Sequence, residues 1–274
     1  MTERLADVSR RIAGTRQLDD VVAAMRGIAA SRVQNAHALM AGVRAHAEVI
    51  GRAIGQALPL LEADGVPANN ALGPRAVVLF CAEQGFAGAF SDRMLKALSG
   101  GQEDVLLIGT RGGVIAAESG VTPVWQAPMV SHARLMPVLA DRIAEALYDW
   151  ISRTGGRHVD LLVPRFEGGS VVAERRSLLP FDYRRFNVPP APQPPLTMLP
   201  PRILLRGLAE EYVVAALCEA VLTAFAVENE ARVAMMLSAG TSLDTKLEEL
   251  RTLERQVRQE EITAEVVSLA SSRL

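Results

Sequence analysis

Two glycine-containing segments are the first places in this sequence where chemistry could reside. Gly85-Phe-Ala-Gly88 and Gly109-Thr-Arg-Gly112 each follow an apolar run. A glycine turn between a strand and a helix can bind phosphate through backbone N–H groups. Neither segment has the full G-x-G-x-x-G spacing, and no Lys follows either one as a P-loop requires. We interpret both as tight turns, and a small α/β enzyme that uses the Gly85–Gly88 loop remains an alternative.

The other reactive residue types show no pattern of a catalytic or metal site. The four histidines have no i, i+4 pairing, which helical ligand pairs would show. Cys81 and Cys218 lie far apart in apolar runs, which is typical of reduced core cysteines. Glu248-Glu249 and Glu260-Glu261 lie among arginines, which is typical of a solvated helix face. We therefore predict no catalytic residue, no cofactor and no metal.

Composition narrows the class of protein further. The chain has 274 residues, of which 49% are hydrophobic and 22% charged, as in ordinary globular proteins. The formal net charge of -2 argues against a nucleic-acid partner, because such proteins normally carry a basic excess. No apolar stretch is long enough to span a membrane, and the charged start lacks a signal core. We expect a protein in the cytoplasm or on the cytoplasmic face of a membrane.

Proline divides the sequence into helical ends and a mixed middle. All 15 prolines lie between Pro59 and Pro201. A proline inside a helix costs about 3 kcal/mol, so the proline-free ends predict long helices over 1–58 and 202–274. About 70 helical residues would span on the order of 100 Å, more than a compact domain of this size. The two helices are therefore expected to pair as a coiled coil.

The spacing of apolar residues predicts which side of each helix is covered. Steps of three and four residues indicate one apolar face of a helix. In the N-terminal segment these positions are Leu18, Val21, Met25 and Ile28, followed by Met40, Val43, Ala47, Ile50 and Ile54. In the C-terminal segment they are Leu243, Leu247, Leu250, Val257, Ile262, Val266 and Leu269.

The sequence predicts an α/β domain over residues 74–186, in the middle of the chain. Residues 75–81, 104–109 and 159–164 are short apolar runs rich in branched side chains, as buried strands are. Helical stretches separate them, and this alternation predicts a largely parallel, Rossmann-like sheet covered by helices. Ser170–Leu179 is a candidate edge strand. Residues 187–201 hold seven prolines and are predicted to form an extended connector.

Several segments match one family pattern in order. Val8–Ile12 and Asp20–Arg32 follow I-x-x-R-I and K-I-T-x-A-M-x-x-V-A-x-x-K. Ala231–Met236 and Arg258–Glu265 follow A-R-M-x-A-M and R-Q-x-x-I-T-x-E, without a gap. In the middle, Ala82–Ser91 is similar to S-D-K/R-G-L-x-G-G-F-N. Together these segments resemble the γ subunit of F-type ATP synthases, as a divergent bacterial member.

The resemblance implies an architecture and a role. The terminal helices would form an antiparallel coiled coil inside a hexamer of alternating α and β subunits. The α/β domain would be a foot that docks the ε subunit and the membrane c-ring. The chain would be the central rotating shaft, which couples ion-driven rotation to conformational change at catalytic sites on the β subunits. It would not itself be a catalyst, and it would lie peripherally on the cytoplasmic face of the bacterial inner membrane.

The resemblance also implies which residues contact the β subunits. These are Asp20, Met25, Arg232, Gln259, Thr263 and Glu265. Asp20 departs from the pattern because the family has a lysine there, and Glu83 stands where the family has an aspartate. Two other functions stay open at this point. One is the shaft of a second, sodium-translocating rotary ATPase, and the other is a coiled-coil adaptor unrelated to rotation.

Overall fold

The computed structural model describes residues 3–61, 73–98, 103–186 and 195–271. Most of the predicted proline-rich connector, 187–194, lies outside the described residues. The helices are α1 Glu3–Ala57, α2 Phe90–Lys96, α3 Thr110–Glu118, α4 Met136–Thr154 and α5 Pro201–Ser271. The strands are β1 Arg75–Phe80, β2 Glu103–Ile108, β3 Trp125–Ala127, β4 His158–Glu167 and β5 Ser170–Leu179. Short 3-10 turns cover Leu58–Leu60, Ala133–Leu135 and Tyr183–Phe186.

The two terminal helices have the lengths that the proline pattern predicts. Helix α1 has 55 residues and helix α5 has 71. Helix α1 ends at Ala57, and Pro59 follows inside a 3-10 turn. Helix α5 begins at Pro201, where a missing backbone N–H costs nothing because the first turn has no partner for it. None of the described helices is long and apolar enough to cross a membrane.

The sheet has five strands in the order β3-β2-β1-β4-β5. Strands β1 to β4 are parallel, and β5 pairs antiparallel with β4 as an edge strand. The predicted parallel sheet is therefore confirmed. Strand β3 was not predicted, because three residues are too few to show a periodicity.

Both faces of the sheet are covered by helices. Val78, Phe80 and Leu106 point to one face, where they are fully buried against α4 and the first part of α5. Val77 and Leu79 point to the other face, where they pack with residues of α2 and α3. Strands buried on both faces explain the continuous apolar runs in the sequence.

The chain divides into two compact units. The helix-pair unit comprises Met1–Ala30 and Arg232–Leu274, and the sheet unit comprises Ser31–Ala231. In the helix-pair unit, Arg4 Nη1 lies 3.0 Å from Glu260 Oε2, and Ser9 Oγ lies 3.1 Å from Glu254 Oε1. Moving along α1 from Arg4 to Ser9, the contacted residue on α5 moves back from Glu260 to Glu254, so the two helices are antiparallel. The coiled coil that the family resemblance implies is thus present.

One part of the predicted apolar face of α1 is wrong. Leu18, Val21 and Ile28 are 59%, 54% and 57% exposed. The buried residues of α1 in this unit are instead Leu5, Val8, Ile12 and Ala29. Between Ile12 and Ala29 the same helix side carries the half-buried residues Thr15, Asp19, Val22 and Met25. The polar residues Thr15 and Asp19 interrupt the apolar pattern, so a search for large apolar residues does not find this side.

Of the other predicted apolar positions, some are buried and some are exposed. Ile50 and Ile54 are buried in the sheet unit, as predicted. On α5, Leu247, Leu250 and Val257 are buried, and the first two pack with Val8 and Ile12. The last three predicted positions are wrong, since each is more than half exposed: Ile262, Val266 and Leu269.

The antiparallel register can be tested by cross-linking. We expect a short bismaleimide to join cysteines introduced by Ser9→Cys and Glu254→Cys, in a background without Cys81 and Cys218, because Ser9 contacts Glu254. The control pairs Ser9→Cys with Thr245→Cys, nine residues earlier on α5 and so about 13 Å away along the helix. Equal cross-linking of the two pairs on a denaturing gel would contradict this register.

Candidate functional site

All six residues predicted to contact the β subunits lie in the helix-pair unit. Asp20 and Met25 are on α1, and the others are on α5: Arg232, Gln259, Thr263 and Glu265. They do not form one compact site. Arg232 and Thr263 are 31 residues apart on a single helix, which corresponds to about 46 Å. The six positions are spread along the helix pair.

The six residues differ in accessibility. Asp20, Gln259, Thr263 and Glu265 are exposed, and Met25 is half-buried. The Thr263 hydroxyl donates to the Gln259 backbone carbonyl oxygen at 2.8 Å, so this bond does not use the Gln259 side-chain amide. Arg232 is only 4% exposed and interacts with other residues of the chain. Four of the six can therefore meet a partner directly, whereas Arg232 is held within this chain.

Exposed apolar side chains accompany these residues. On α1, Leu18, Val21 and Ile28 are spaced for one helix side, and Asp20 lies between the first two in sequence. On α5, the exposed apolar residues near the C-terminal end are Ile262, Val266, Val267 and Leu269. Exposed apolar stripes of this kind mark surfaces that a partner covers.

The loop after β1, where a nucleotide site would lie, is occupied by two carboxylates of the chain. Glu83 Oε2 accepts the backbone N–H groups of Thr110 and Met129, both at 2.8 Å. Glu228 on α5 accepts the backbone N–H groups of Glu83 at 3.1 Å and Gln84 at 3.2 Å. These donors follow the carboxyl ends of β1, β2 and β3, where ligands of open α/β sheets bind. Internal carboxylates thus use the N–H groups that a phosphate would need.

The glycines of the second turn are required by packing. Gly109 has a φ of 117°, a conformation that side chains rarely adopt. A Cβ on Gly112 would lie 1.9 Å from the Cβ of Cys81. The interpretation of this segment as a tight turn follows from these two constraints. Neither role could be assigned from the sequence, since Cys81 and Gly112 belong to different turns.

Both cysteines have raised pKa values because they are shielded from water. Burial raises the pKa of Cys81 from 9.0 to about 12, despite a hydrogen bond with Ser91. Burial likewise raises the pKa of Cys218 from 9.0 to about 11. Both thiols are therefore protonated near neutral pH and are poor nucleophiles. Cys81 is a core residue, as predicted, whereas Cys218 is only partly buried and packs against the core.

Thiol titration tests this assignment. We expect both cysteines to react with a disulfide reagent at pH 8 at least tenfold more slowly in the native chain than in denaturant, since only the thiolate attacks. The raised folded pKa values mean that the folded state binds more protons between pH 9 and about 11 to 12, so stability falls as pH rises through that window. Rapid native labelling of Cys81 at pH 8 would contradict the burial.

Similarity to known proteins extends over nearly the whole chain. The family described as ATP synthase matches residues 4–272. The ATP synthase gamma chain of a Parafrankia species is 28% identical over 294 aligned positions, which cover 97% of this chain and 95% of the relative. The ATP synthase gamma chain of Solibacter usitatus is 25% identical over 287 positions, which cover 97% of each.

Solved structures give the same fold at lower identity. A chain of the Euglena gracilis mitochondrial ATP synthase rotor aligns with a TM-score of 0.64 and 12% identity, over 94% of this chain and 99% of that chain. A chain of the Tetrahymena thermophila mitochondrial ATP synthase central stalk and c-ring aligns with a TM-score of 0.57 and 14% identity, over 80% and 99%. At these identities the likeness is one of fold.

Proposed function

This chain belongs to the ATP synthase family, and we propose that it is the central rotating shaft of an F-type ATP synthase. The observation that carries the proposal is the antiparallel helix pair with apolar stripes left exposed along it. A helix pair that served only to stabilise this chain would place such side chains inside. The near full-length similarity to gamma chains supports the same role.

The partners follow from this role. The helix pair is enclosed by a hexamer of alternating α and β subunits, and the sheet unit docks the ε subunit and the membrane c-ring. The nucleotide chemistry belongs to the β subunits. Each face of the shaft favours one β conformation over another, so rotation shifts the conformational populations of the three sites in turn.

We assign β-subunit contact to the six residues named from the family pattern. Asp20, Gln259, Thr263 and Glu265 are exposed and can contact β directly. Gln259 offers both donors and acceptors, which suits a partner whose surface changes as the shaft turns. Arg232 acts from a buried position, so its removal is expected to disturb the helix pair as well as the interface.

The functional parts of the chain follow the division drawn from the sequence. The shaft helices are 1–58 and 202–274, the foot is 74–186, and the connector is 187–201. The location is peripheral, on the cytoplasmic face of the bacterial inner membrane. The alternative of a small α/β enzyme is weakened by Glu83 and Glu228, which accept the backbone N–H groups of Thr110 and Glu83 beside its candidate nucleotide loop. The ion that drives rotation is selected in the membrane ring and has no signature here.

Co-purification and rotation test the role. We expect a tagged chain, expressed with the α and β subunits from the same genome, to purify as a stoichiometric complex that hydrolyses ATP. A bead attached to the sheet unit of this complex is expected to rotate when ATP is added. A chain that purifies alone, or a complex in which the bead stays still during hydrolysis, would overturn the proposal.

Alanine substitutions test the contact residues. We expect Gln259→Ala to lower coupled ATP turnover about fivefold, the effect of losing one hydrogen bond worth about 1 kcal/mol, while the complex still assembles. Thr263→Ala should have a similar effect. The matched control is Gln256→Ala, an exposed glutamine one turn earlier on α5. Turnover that is unchanged in both variants, or lowered equally in the control, would contradict the assignment of Gln259 and Thr263 as β-subunit contacts.

Charge reversal tests Asp20, where the family has a lysine. The family position faces acidic loops of the β subunit, and two like charges 4 Å apart in water repel by about 1 kcal/mol. We expect Asp20→Lys to change ATP hydrolysis of the assembled complex modestly at low salt and less at high salt, because Asp20 is exposed and salt screens such charges. Asp20→Asn should give about half the change. A loss of assembly independent of salt would contradict an interface role.

A further inference from the structure

A buried carboxylate joins helix α5 to the loop that follows β1. Glu228 is only 2% exposed, and its two oxygens accept the backbone N–H groups of Glu83 and Gln84. Burial of a carboxylate is costly unless its oxygens receive hydrogen bonds, so the side chain and the loop hold each other in place. Arg32 of α1 donates to Gln84 Oε1 at 3.2 Å and fixes the same loop from a second helix.

A second carboxylate ties the same loop to the sheet. The Glu83 side chain accepts three hydrogen bonds of 2.8 Å, from the Thr110 N–H, the Thr110 hydroxyl and the Met129 N–H. Thr110 begins helix α3, and the N-cap residue Gly109 has no side chain with which to cap it. Glu83 supplies this cap, and its negative charge lies at the favourable end of the helix dipole.

Between these attachments the loop exposes one large apolar side chain. Phe86 is 63% exposed and has a φ of 62°. A left-handed backbone is uncommon for a bulky residue and persists only where the surroundings impose it. The next residues return inward: Ala87 and Phe90 are buried, and Ser91 Oγ accepts the Ala82 N–H at 3.0 Å. Both ends of the loop are thus held, and Phe86 is at its tip.

We propose that Glu228 and Glu83 form a two-carboxylate clasp that makes the Gln84–Gly88 loop a rigid part of α5. The two carboxylates are positioning residues: they hold the loop, with Phe86 at its tip, in a fixed place so that the loop moves with the helix. The inference rests on the proposed shaft function. It adds a means by which a surface loop of the sheet unit stays mechanically locked to α5.

Cys81 provides a native reporter of the clasp. Cys81 directly follows β1, three residues before Gln84; it is 1% exposed, and its pKa is raised to about 12 by burial. Its side chain packs against Gly112 of α3, whose first residue, Thr110, is bonded to Glu83. A loosened loop should expose it. In a Cys218→Ala background, the labelling rate of Cys81 therefore measures how often the loop opens.

The first experiment measures the clasp in the intact purified chain, before assembly. We expect Glu228→Ala to increase Cys81 labelling at least tenfold and to abolish hydrogen-exchange protection of the Glu83 and Gln84 amides. Glu228→Gln should rescue part of the protection, because its carbonyl oxygen still accepts a bond. The matched control is Glu230→Ala. Glu230 lies on α5, as Glu228 does, but its carboxylate contacts His37 of α1. Labelling unchanged by Glu228→Ala, or raised equally by Glu230→Ala, would overturn the clasp.

A chemical rescue tests the second carboxylate. Glu83→Gly removes the side chain and leaves the Thr110 and Met129 donors unbonded. We expect this variant to label faster at Cys81 and to be slowed again by added formate, a small carboxylate, but not by chloride at equal ionic strength. Rescue by both salts alike, or by neither, would contradict a specific carboxylate role for Glu83.

A measurement of stall torque distinguishes failure of the clasp from failure of the shaft function. If the rigid attachment of the loop to α5 serves rotation, Glu228→Ala should retain assembly with the α and β subunits while the ATP-driven stall torque falls at least twofold, and Glu228→Gln should recover it in part. A loosened loop with unchanged torque would overturn the positioning role and leave the shaft function standing. Failure of the wild-type chain to assemble or rotate would reject the shaft function, whereas the labelling and exchange results would still decide the clasp.

Discussion

The rest of the structure depends on covering the apolar side chains of two very long helices. Helices of 55 and 71 residues cannot cover their own apolar surface, so each segment must find a partner. In the sheet unit, α5 supplies Leu217 and Val221 to the core above the sheet. In the helix-pair unit, the same helix packs Leu247 and Leu250 against Val8 and Ile12. One helix therefore contributes to both compact units, although its covering partner differs in each.

The constraint is only partly met within the chain, and this incomplete covering is what makes a function possible. The apolar stripe of Leu18, Val21 and Ile28 and the apolar end of α5 remain exposed. A shaft that turns inside a ring needs this combination: an internal seam that holds the two helices together and outer faces that differ from one another. A ring subunit whose two conformations bind these faces with different affinity changes its population as the faces pass.

The sheet unit has its own carboxylates at the strand ends where α/β domains often bind ligands. Its strand ends have the topology at which nucleotides bind in related architectures. Here the N–H donors of that region are bonded to Glu83 and Glu228. The N–H groups of Glu83 and Gln84 are bonded to Glu228 of α5, and those of Thr110 and Met129 to Glu83. This bonding is in keeping with a subunit that leaves catalysis to its neighbours.

The sequence by itself determined the elements and the family. The absence of proline before Pro59 and after Pro201 set the two long helices, because helix interiors exclude proline whatever the tertiary context. The apolar runs set strands β1, β2 and β4, and the terminal motifs identified the family. These are local properties, or patterns of linear order, and they need no knowledge of which residues meet in space.

Only the tertiary structure decided which side of α1 is covered and what holds the strand-end loop. A three–four periodicity reports that a helix side is apolar but not whether this chain or another one covers it, so Leu18, Val21 and Ile28 looked internal. Glu228 is 145 residues from Glu83 and bonds to backbone N–H groups, which every residue except proline carries and no side-chain pattern reveals. Burial of Arg232 and partnership across such distances arise from packing, and packing is fixed only when the chain has folded.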